Sequence, residues 1–261
     1  MPDTESKILG LSGKAAVVTG ATKGIGRATA RLLAEIGVNV VAVGRDFDDE
    51  VPVRTKGRVV RFRADVSDEG KATDAVDKCV REFGKIDILV NNAGMIKGGS
   101  ILDFEKNDWD RIMEVNLGGY RNYARAAALS MVKNKVPGRI VNVASVDGIA
   151  AEPGVLAYSA SKGAIIMFTR CLAIELARYK IRVNAIAPGW VDTAMGTGVL
   201  DAKSRRMVDK KIPMGYIAPP EEIAGSIVFL ASDMSSYMTG HVMVADGGLT
   251  VDISIPGLTY E

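Results

Sequence analysis

Tyr158 and Lys162 stand four residues apart at the end of the stretch SVDGIAAEPGVLAYSASK, which begins at Ser145. On a helix such a pair shares a face, so a phenol and an ammonium lie side by side. The phenol can give a proton to an oxygen on which charge develops, and a neighbouring cation favours the phenolate that the reverse reaction needs. A free phenol titrates near 10, so working in both directions at neutral pH asks for a downward shift of about three units. A lone Tyr-x-x-x-Lys pair arises easily by chance in a chain with 7 Tyr and abundant Lys, so its surroundings must supply the context.

A second chemical feature lies near the start, in Thr19-Gly20-Ala21-Thr22-Lys23-Gly24-Ile25-Gly26. It follows the β-branched run Ala15 to Thr19 and opens a stretch, Gly24 to Ile36, with apolar residues at helical spacing before Gly37. Glycines in a strand-to-helix turn let backbone N–H groups approach a pyrophosphate, and the helix N-terminus adds partial positive charge there. Spacing alone is weak evidence; a plain strand-helix turn is the alternative.

The elements that must position these groups alternate along the chain. Strands are expected at Ala15 to Thr19, Val38 to Val43, Arg58 to Phe62, Ile86 to Val90, Arg139 to Val143, Ile181 to Ile186 and Val242 to Val244. Helices fall near 24 to 36, 68 to 83, 105 to 134, 156 to 179 and 220 to 232. Strand-helix-strand units need right-handed crossovers and a sheet buried on both sides. The expected fold is therefore α/β, a Rossmann-like doubly wound seven-stranded parallel sheet with helices on both faces. Residues 46 to 57, DFDDEVPVRTKG, read as an irregular link. Without a linker or repeat, 1 to 261 is expected to be one domain.

Composition narrows the function class. The chain is 48% hydrophobic and 25% charged with a net charge of +2, which gives no electrostatic footprint for nucleic acid or an anionic membrane. Cys79, Cys171 and the single His241 have no metal-ligand spacing. The start MPDTESKILG is polar where a signal peptide would be apolar, and no apolar run reaches membrane-spanning length. The cytoplasm is the expected compartment.

Six features occur in one order: the TGxxxGIG turn, Asn91-Asn92-Ala93-Gly94, Asn116, Ser145, the Tyr158/Lys162 pair and Pro188-Gly189. Together they resemble the short-chain dehydrogenase/reductase family, in its compact form, over about residues 11 to 249. The resemblance implies an NAD(P)-dependent enzyme that interconverts a secondary alcohol and a ketone. Tyr158 would be general acid/base, Lys162 would hold the nicotinamide ribose and tune the phenol, and Ser145 would bond the substrate oxygen. Asn116 would hold a water that relays protons. The cofactor would meet Gly20, Thr22, Lys23, Gly24, Ile25, Gly26, Asp65, Val66, Asn92, Ala93, Gly94, Pro188, Gly189, Val191 and Thr193. Asp65 has a plainer reading as a helix cap.

Strand two ends Val43-Gly44-Arg45. Gly44 occupies the place where NAD-preferring relatives carry Asp, while Arg45 and Lys23 offer cations. A 2′-phosphate needs a cation and a free ribose needs an acid, so NADP is expected, with NAD as the alternative. The alternative reading has Arg45 stacked on adenine or facing solvent beside Asp46, Asp48 and Asp49.

The substrate pocket is expected between Met95 to Ser100, Val146 to Leu156 and the loop Gly189 to Gly215, the last a lid. Asp147 and Glu152 suit a sugar or polyol, or are solvated loop acids. Lys203, Arg205, Arg206, Lys210 and Lys211 suit an acyl-carrier thioester, or are a solvated face. A cofactor sensor without turnover is the remaining class. Helices 105 to 134 and 156 to 179 resemble the family's dimer surfaces, so a homotetramer is expected, with residues 250 to 261 against a neighbour.

Overall fold

A computed structural model of the chain describes residues 8–47, 55–198 and 200–252. Seven parallel strands form one sheet in the order β3-β2-β1-β4-β5-β6-β7. In chain order these are β1 (Ala15–Thr19), β2 (Asn39–Gly44), β3 (Val59–Arg63), β4 (Ile88–Asn91), β5 (Arg139–Val143), β6 (Arg182–Pro188) and β7 (Val242–Ala245). The order reverses between β1 and β4, so the crevice beyond their carboxyl ends is where a doubly wound sheet places its ligand.

The central strands read as unbroken apolar runs because both faces are covered. Alternate residues feed two cores. Ala15, Val17, Val41, Val43, Leu89 and Ile140 pack on one side, and Ala16, Val18, Val40, Ala42, Ile88 and Val141 on the other. The first face is covered by α2 (Glu69–Phe83), α4 (Gly119–Lys133) and α5 (Leu156–Ala177), the second by α1 (Gly24–Glu35) and α7 (Pro220–Ala231).

Local chemistry sets the helix ends. Asp68 caps α2 by accepting from Lys71 N at 3.0 Å, and Gly84 ends it at φ 83°, a conformation that glycine adopts without strain. Pro220 begins α7, where its missing N–H costs nothing.

Two expected elements differ. The stretch 105 to 134 is α3 (Lys106–Met113), a π-helical turn (Glu114–Gly118) and α4. Its single apolar stripe hides the inserted turn, a form of helix often found at functional sites. The loop after β6 contains a helix, α6 (Ala202–Lys211), capped by Asp201 accepting from Ser204 N at 2.7 Å. Among its described residues none is buried, so no apolar period announced it. Of the expected link 46 to 57, residues 48 to 54 lie outside the described residues, as do 253 to 261 of the expected tail.

Candidate active site

The site is built from the carboxyl end of β5 and the first turns of α5. Beyond β5, Ser145 caps a 3₁₀ turn, Val146–Gly148, accepting from Asp147 N at 3.1 Å. This turn seats directly on α5. A Cβ on Gly148 would lie 2.7 Å from the Lys162 carbonyl carbon and 2.8 Å from Gly163 N, so only glycine allows the approach. Ser145 and Asp147 are thereby held against the helix that carries Tyr158 and Lys162.

Lys162 is buried. Its Nζ donates to Val143 O at 2.7 Å and lies 5.5 Å from the Tyr158 ring centroid and 5.6 Å from that of Tyr120. Burial lowers its pKa to about 7, with Asp147 opposing. The Tyr158 phenol is moved upward, by burial first, against the favourable Ser145 hydroxyl and with Asp147 and Glu152 adding to the rise. Among the protein's own groups, burial and the two nearby carboxylates favour the neutral phenol.

Asn116 sits inside the π-turn and is fully buried. Its Oδ1 accepts from Met95 N at 2.8 Å, and its Nδ2 donates to Met95 O at 3.0 Å and to Ser161 Oγ at 2.9 Å. The side chain is thus engaged on both ends by protein. It braces the chain after β4 against α5 and stays close to the site: a Cβ on Gly94 would be 3.4 Å from Asn116 Oδ1 and 3.9 Å from Lys162 Nζ.

The glycine turn forms a cradle with nothing to spare. A Cβ on Gly26 would lie 2.3 Å from Gly20 O, and one on Gly20 2.7 Å from Asn92 Nδ2. Asn92 clamps the turn by donating to Thr19 O at 2.9 Å, while Thr19 Oγ1 accepts from Asn92 N at 2.9 Å and Ala93 N at 3.1 Å. No side chain caps the start of α1, where Lys23 is the N-cap, and no acid lies in its first turn. The first-turn N–H groups around Gly24, Ile25 and Gly26 therefore fit a pyrophosphate.

The remaining expected contacts fall along the same edge. Thr193 lies over the turn, with its Cγ2 at 3.0 Å from a Cβ position on Gly24. Gly189 follows Pro188 and donates its N–H to Ala245 O at 3.0 Å. Val191 bridges Ala218 at the base of the loop after β6. A side chain at Gly44 would have to displace Thr22, since a Cβ would meet Thr22 Cγ2 at 2.3 Å. Lys23 and Arg45 are exposed, and among the described residues neither forms an ion pair. Asp65 does not cap α2. Its Oδ1 accepts from Ser67 N and Oγ at 3.0 and 2.8 Å, and its Oδ2 pairs with Arg111 at 2.6 Å. Val66 is buried against Gly119.

Two walls of the expected pocket join, with Gly99 N donating to Gly154 O at 2.8 Å. In the loop after β6, Arg205 pairs with Asp192 at 2.7 Å, which with Thr197 lowers the Asp192 pKa to about 2. One of the five cations expected to meet a substrate there is thus already partnered. Sequence reasoning missed Tyr120, Ser161 and Arg111. Tyr120 lies one helical turn beyond Asn116, which was the available signal for it.

No helix among the described residues is long and apolar enough to cross a membrane, and no group of His, Cys, Asp and Glu among them could hold a metal ion.

A family model described as enoyl-(acyl carrier protein) reductase matches residues 20–250. The chain is 41% identical over 246 residues to a 3-oxoacyl-acyl-carrier-protein reductase of Thermotoga maritima, covering 92% of this chain and 99% of that protein. It is 38% identical over 249 residues to glucose 1-dehydrogenase 2 of Bacillus subtilis, covering 92% and 96%. The crystal structure of a short-chain type dehydrogenase/reductase from Mycobacterium marinum matches with a TM-score of 0.87 at 36% identity, covering 93% of this chain and 97% of that one.

Proposed function

The chain belongs to the short-chain dehydrogenase/reductase family, and from that premise we propose that it interconverts a secondary alcohol and a ketone with NADP(H), acting on a sugar, polyol or small carbonyl compound. The observation that carries this reading is the convergence of Ser145, Tyr158 and buried Lys162 at the carboxyl end of β5. Gly94 joins that cluster to the strand end that clamps the glycine turn.

When bound, the nicotinamide supplies or accepts the hydride at the substrate carbon. The chain's own work concerns the oxygen. In reduction that oxygen gains negative charge, and Tyr158, held neutral, gives it a proton. Ser145 offers a second hydrogen bond to the same oxygen. Lys162 stands beside the phenol with its amine anchored on Val143 O; in its protonated form it would pass a proton to the Tyr158 phenolate after reduction and regain one from solvent. Asn116 keeps this geometry fixed from behind. The cradle of Gly20, Gly24 and Gly26 would hold the pyrophosphate, Asn92 to Gly94 the nicotinamide side, and Asp65 and Val66 the adenine.

NADP is favoured over NAD because Gly44 presents no acid, and a Cβ there meets Thr22, while Lys23 and Arg45 offer exposed cations. A 3-oxoacyl-thioester substrate is the second reading. It is favoured by the Thermotoga maritima relative and by Lys203, Arg206, Lys210 and Lys211 on exposed α6. For assembly we propose a homotetramer working in the cytoplasm. The outer face of α4 and α5 supports it, since it leaves Leu129, Met167 and Ile174 exposed, an apolar surface of the kind that marks a subunit contact.

The test is a screen of sugars, polyols, ketones and acetoacetyl thioesters with NADP(H) and NAD(H). The reading expects turnover of at least one carbonyl or alcohol, with the higher kcat/KM on the phosphorylated cofactor. No turnover in either direction with either cofactor would overturn it.

A further inference from the structure

Asp147 makes a contact that the alcohol–ketone chemistry does not call for. The Ser145 hydroxyl donates to Asp147 Oδ2 at 3.1 Å while its oxygen accepts from Asp147 N at 3.1 Å. A hydroxyl has one proton. With that proton on the carboxylate, Ser145 cannot also donate to a carbonyl oxygen or to the Tyr158 oxygen, the other group within its reach. The carboxylate is rigidly placed, because Gly148 packs its turn on the backbone of Lys162 and Gly163. It stands in the wall that carries Glu152, whose carboxyl is pushed up by partial burial first and then by Asp147, with Lys211 opposing. The raised Glu152 carboxyl also hydrogen-bonds Asp147, so a substrate hydroxyl would compete with Ser145 and Glu152 for that carboxylate.

We propose that Asp147 is a specificity-determining residue that selects substrates bearing a hydroxyl on the carbon next to the reacting carbonyl. This rests on the alcohol–ketone reading above and narrows its substrate class. Oxygens on adjacent carbons stand about one hydrogen-bond length apart, comparable to the 3.1 Å between Ser145 Oγ and Asp147 Oδ2. The neighbouring hydroxyl donates to Asp147, and the Ser145 proton turns to the carbonyl oxygen. A simple ketone or a 3-oxoacyl thioester has no such donor, so with it the serine stays engaged by the carboxylate. The requirement separates a polyol enzyme from an acyl-thioester enzyme within one catalytic scaffold.

The test uses isosteric probes: 1-hydroxypropan-2-one against butan-2-one for reduction, and propane-1,2-diol against butan-2-ol for binding to the enzyme with reduced cofactor, where no reaction follows. The wild type is expected to prefer the hydroxylated member of each pair by about tenfold or more, in keeping with a hydrogen bond to a charged group. In Asp147→Ala the preference should collapse in both readouts, and kcat/KM for butan-2-one should rise as the serine proton is released. Asp147→Asn keeps an acceptor oxygen and the side-chain volume, guards against a folding defect, and should retain an intermediate preference. Turnover of both ketones with no preference in the wild type, or with one that Asp147→Ala leaves intact, overturns the proposal while the alcohol–ketone reading stands. If no carbonyl, acetoacetyl thioester included, is reduced with either cofactor, that reading fails and the proposal falls with it.

Discussion

Lys162 and Tyr120 converge on one atom. The lysine Nζ donates to Val143 O at 2.7 Å and the tyrosine Oη donates to the same oxygen at 2.8 Å. A carbonyl has two lone pairs, so both donors are satisfied together. The arrangement fixes the amine in place whether or not it is charged, because a neutral amine still donates. Tyr120 is itself fully buried, and burial moves its phenol well up, so it stays a donor across the working range.

Burial of that amine makes stability depend on pH in a definite direction. Lys162 falls from the ordinary 10.5 to about 7 in the folded chain, so between those values the unfolded chain binds the additional proton. Stability should therefore rise with pH from about 7 toward 10, by up to about 1.4 kcal/mol per pH unit from this one group. Lys162→Met keeps most of the volume and removes the titration. Urea unfolding at pH 7 and pH 9 should show a clearly smaller rise in the variant, and equal slopes in the two proteins would sink the idea.

Tyr158→Phe removes a hydroxyl and leaves the ring. With the phenol held neutral by burial first and by Asp147 and Glu152 after it, the wild-type group stands ready as a proton donor for reduction. The variant is expected to lose about two to four orders of magnitude in kcat. Its affinity for the dinucleotide, measured by fluorescence titration, should stay within about threefold, because the pyrophosphate cradle is untouched. Retained turnover with intact binding would falsify the role given to Tyr158.

Much of the fold was legible in the residues, and the parts that were not have physical causes. β1 and β5 occupy the bounds expected of them, since buried parallel strands write themselves as continuous apolar runs. The glycine turn and the Tyr158/Lys162 pair are local in sequence and were read as such. What escaped was set by contacts across the fold. Arg111 reaches Asp65 over 46 positions, and Asn116 reaches Ser161 over 45. The π-turn follows from burying Asn116 between Met95 and α5, which no apolar period records. α6 escaped for the opposite reason, because a helix with a fully wetted surface carries no apolar stripe.

Asn116 should behave as a brace and not as a replaceable polar group. Asn116→Ala strips the half-buried Met95 N–H and C=O of their side-chain partners, at a cost of about 1–3 kcal/mol. The expected outcome is a lowered denaturation midpoint together with a loss of kcat, in contrast to Tyr158→Phe, where only kcat falls. A variant as stable as the wild type but inactive would instead assign the side chain a direct part in proton transfer.

The proposed preference for NADP offers the sharpest structural test, because the proposal rests in part on a missing side chain. Placing an acid at the end of β2 is the obvious route to NAD, since a carboxylate there would accept from the free ribose hydroxyls. Gly44→Asp alone should fail. Its Cβ would lie 2.3 Å from Thr22 Cγ2, and forcing the two apart is expected to cost about 1–3 kcal/mol and to distort the turn that holds the pyrophosphate. Thr22→Ser deletes the offending methyl and keeps the hydroxyl. The single variant should therefore lose activity with both cofactors, while the double variant recovers stability and gains kcat/KM with NADH at the expense of NADPH. Arg45→Ala provides the complementary measurement, lowering kcat/KM for NADPH by about tenfold or more while leaving NADH nearly unchanged. If Gly44→Asp alone were stable and switched preference, Thr22 would not be the constraint, and the argument for NADP would rest on the cations alone.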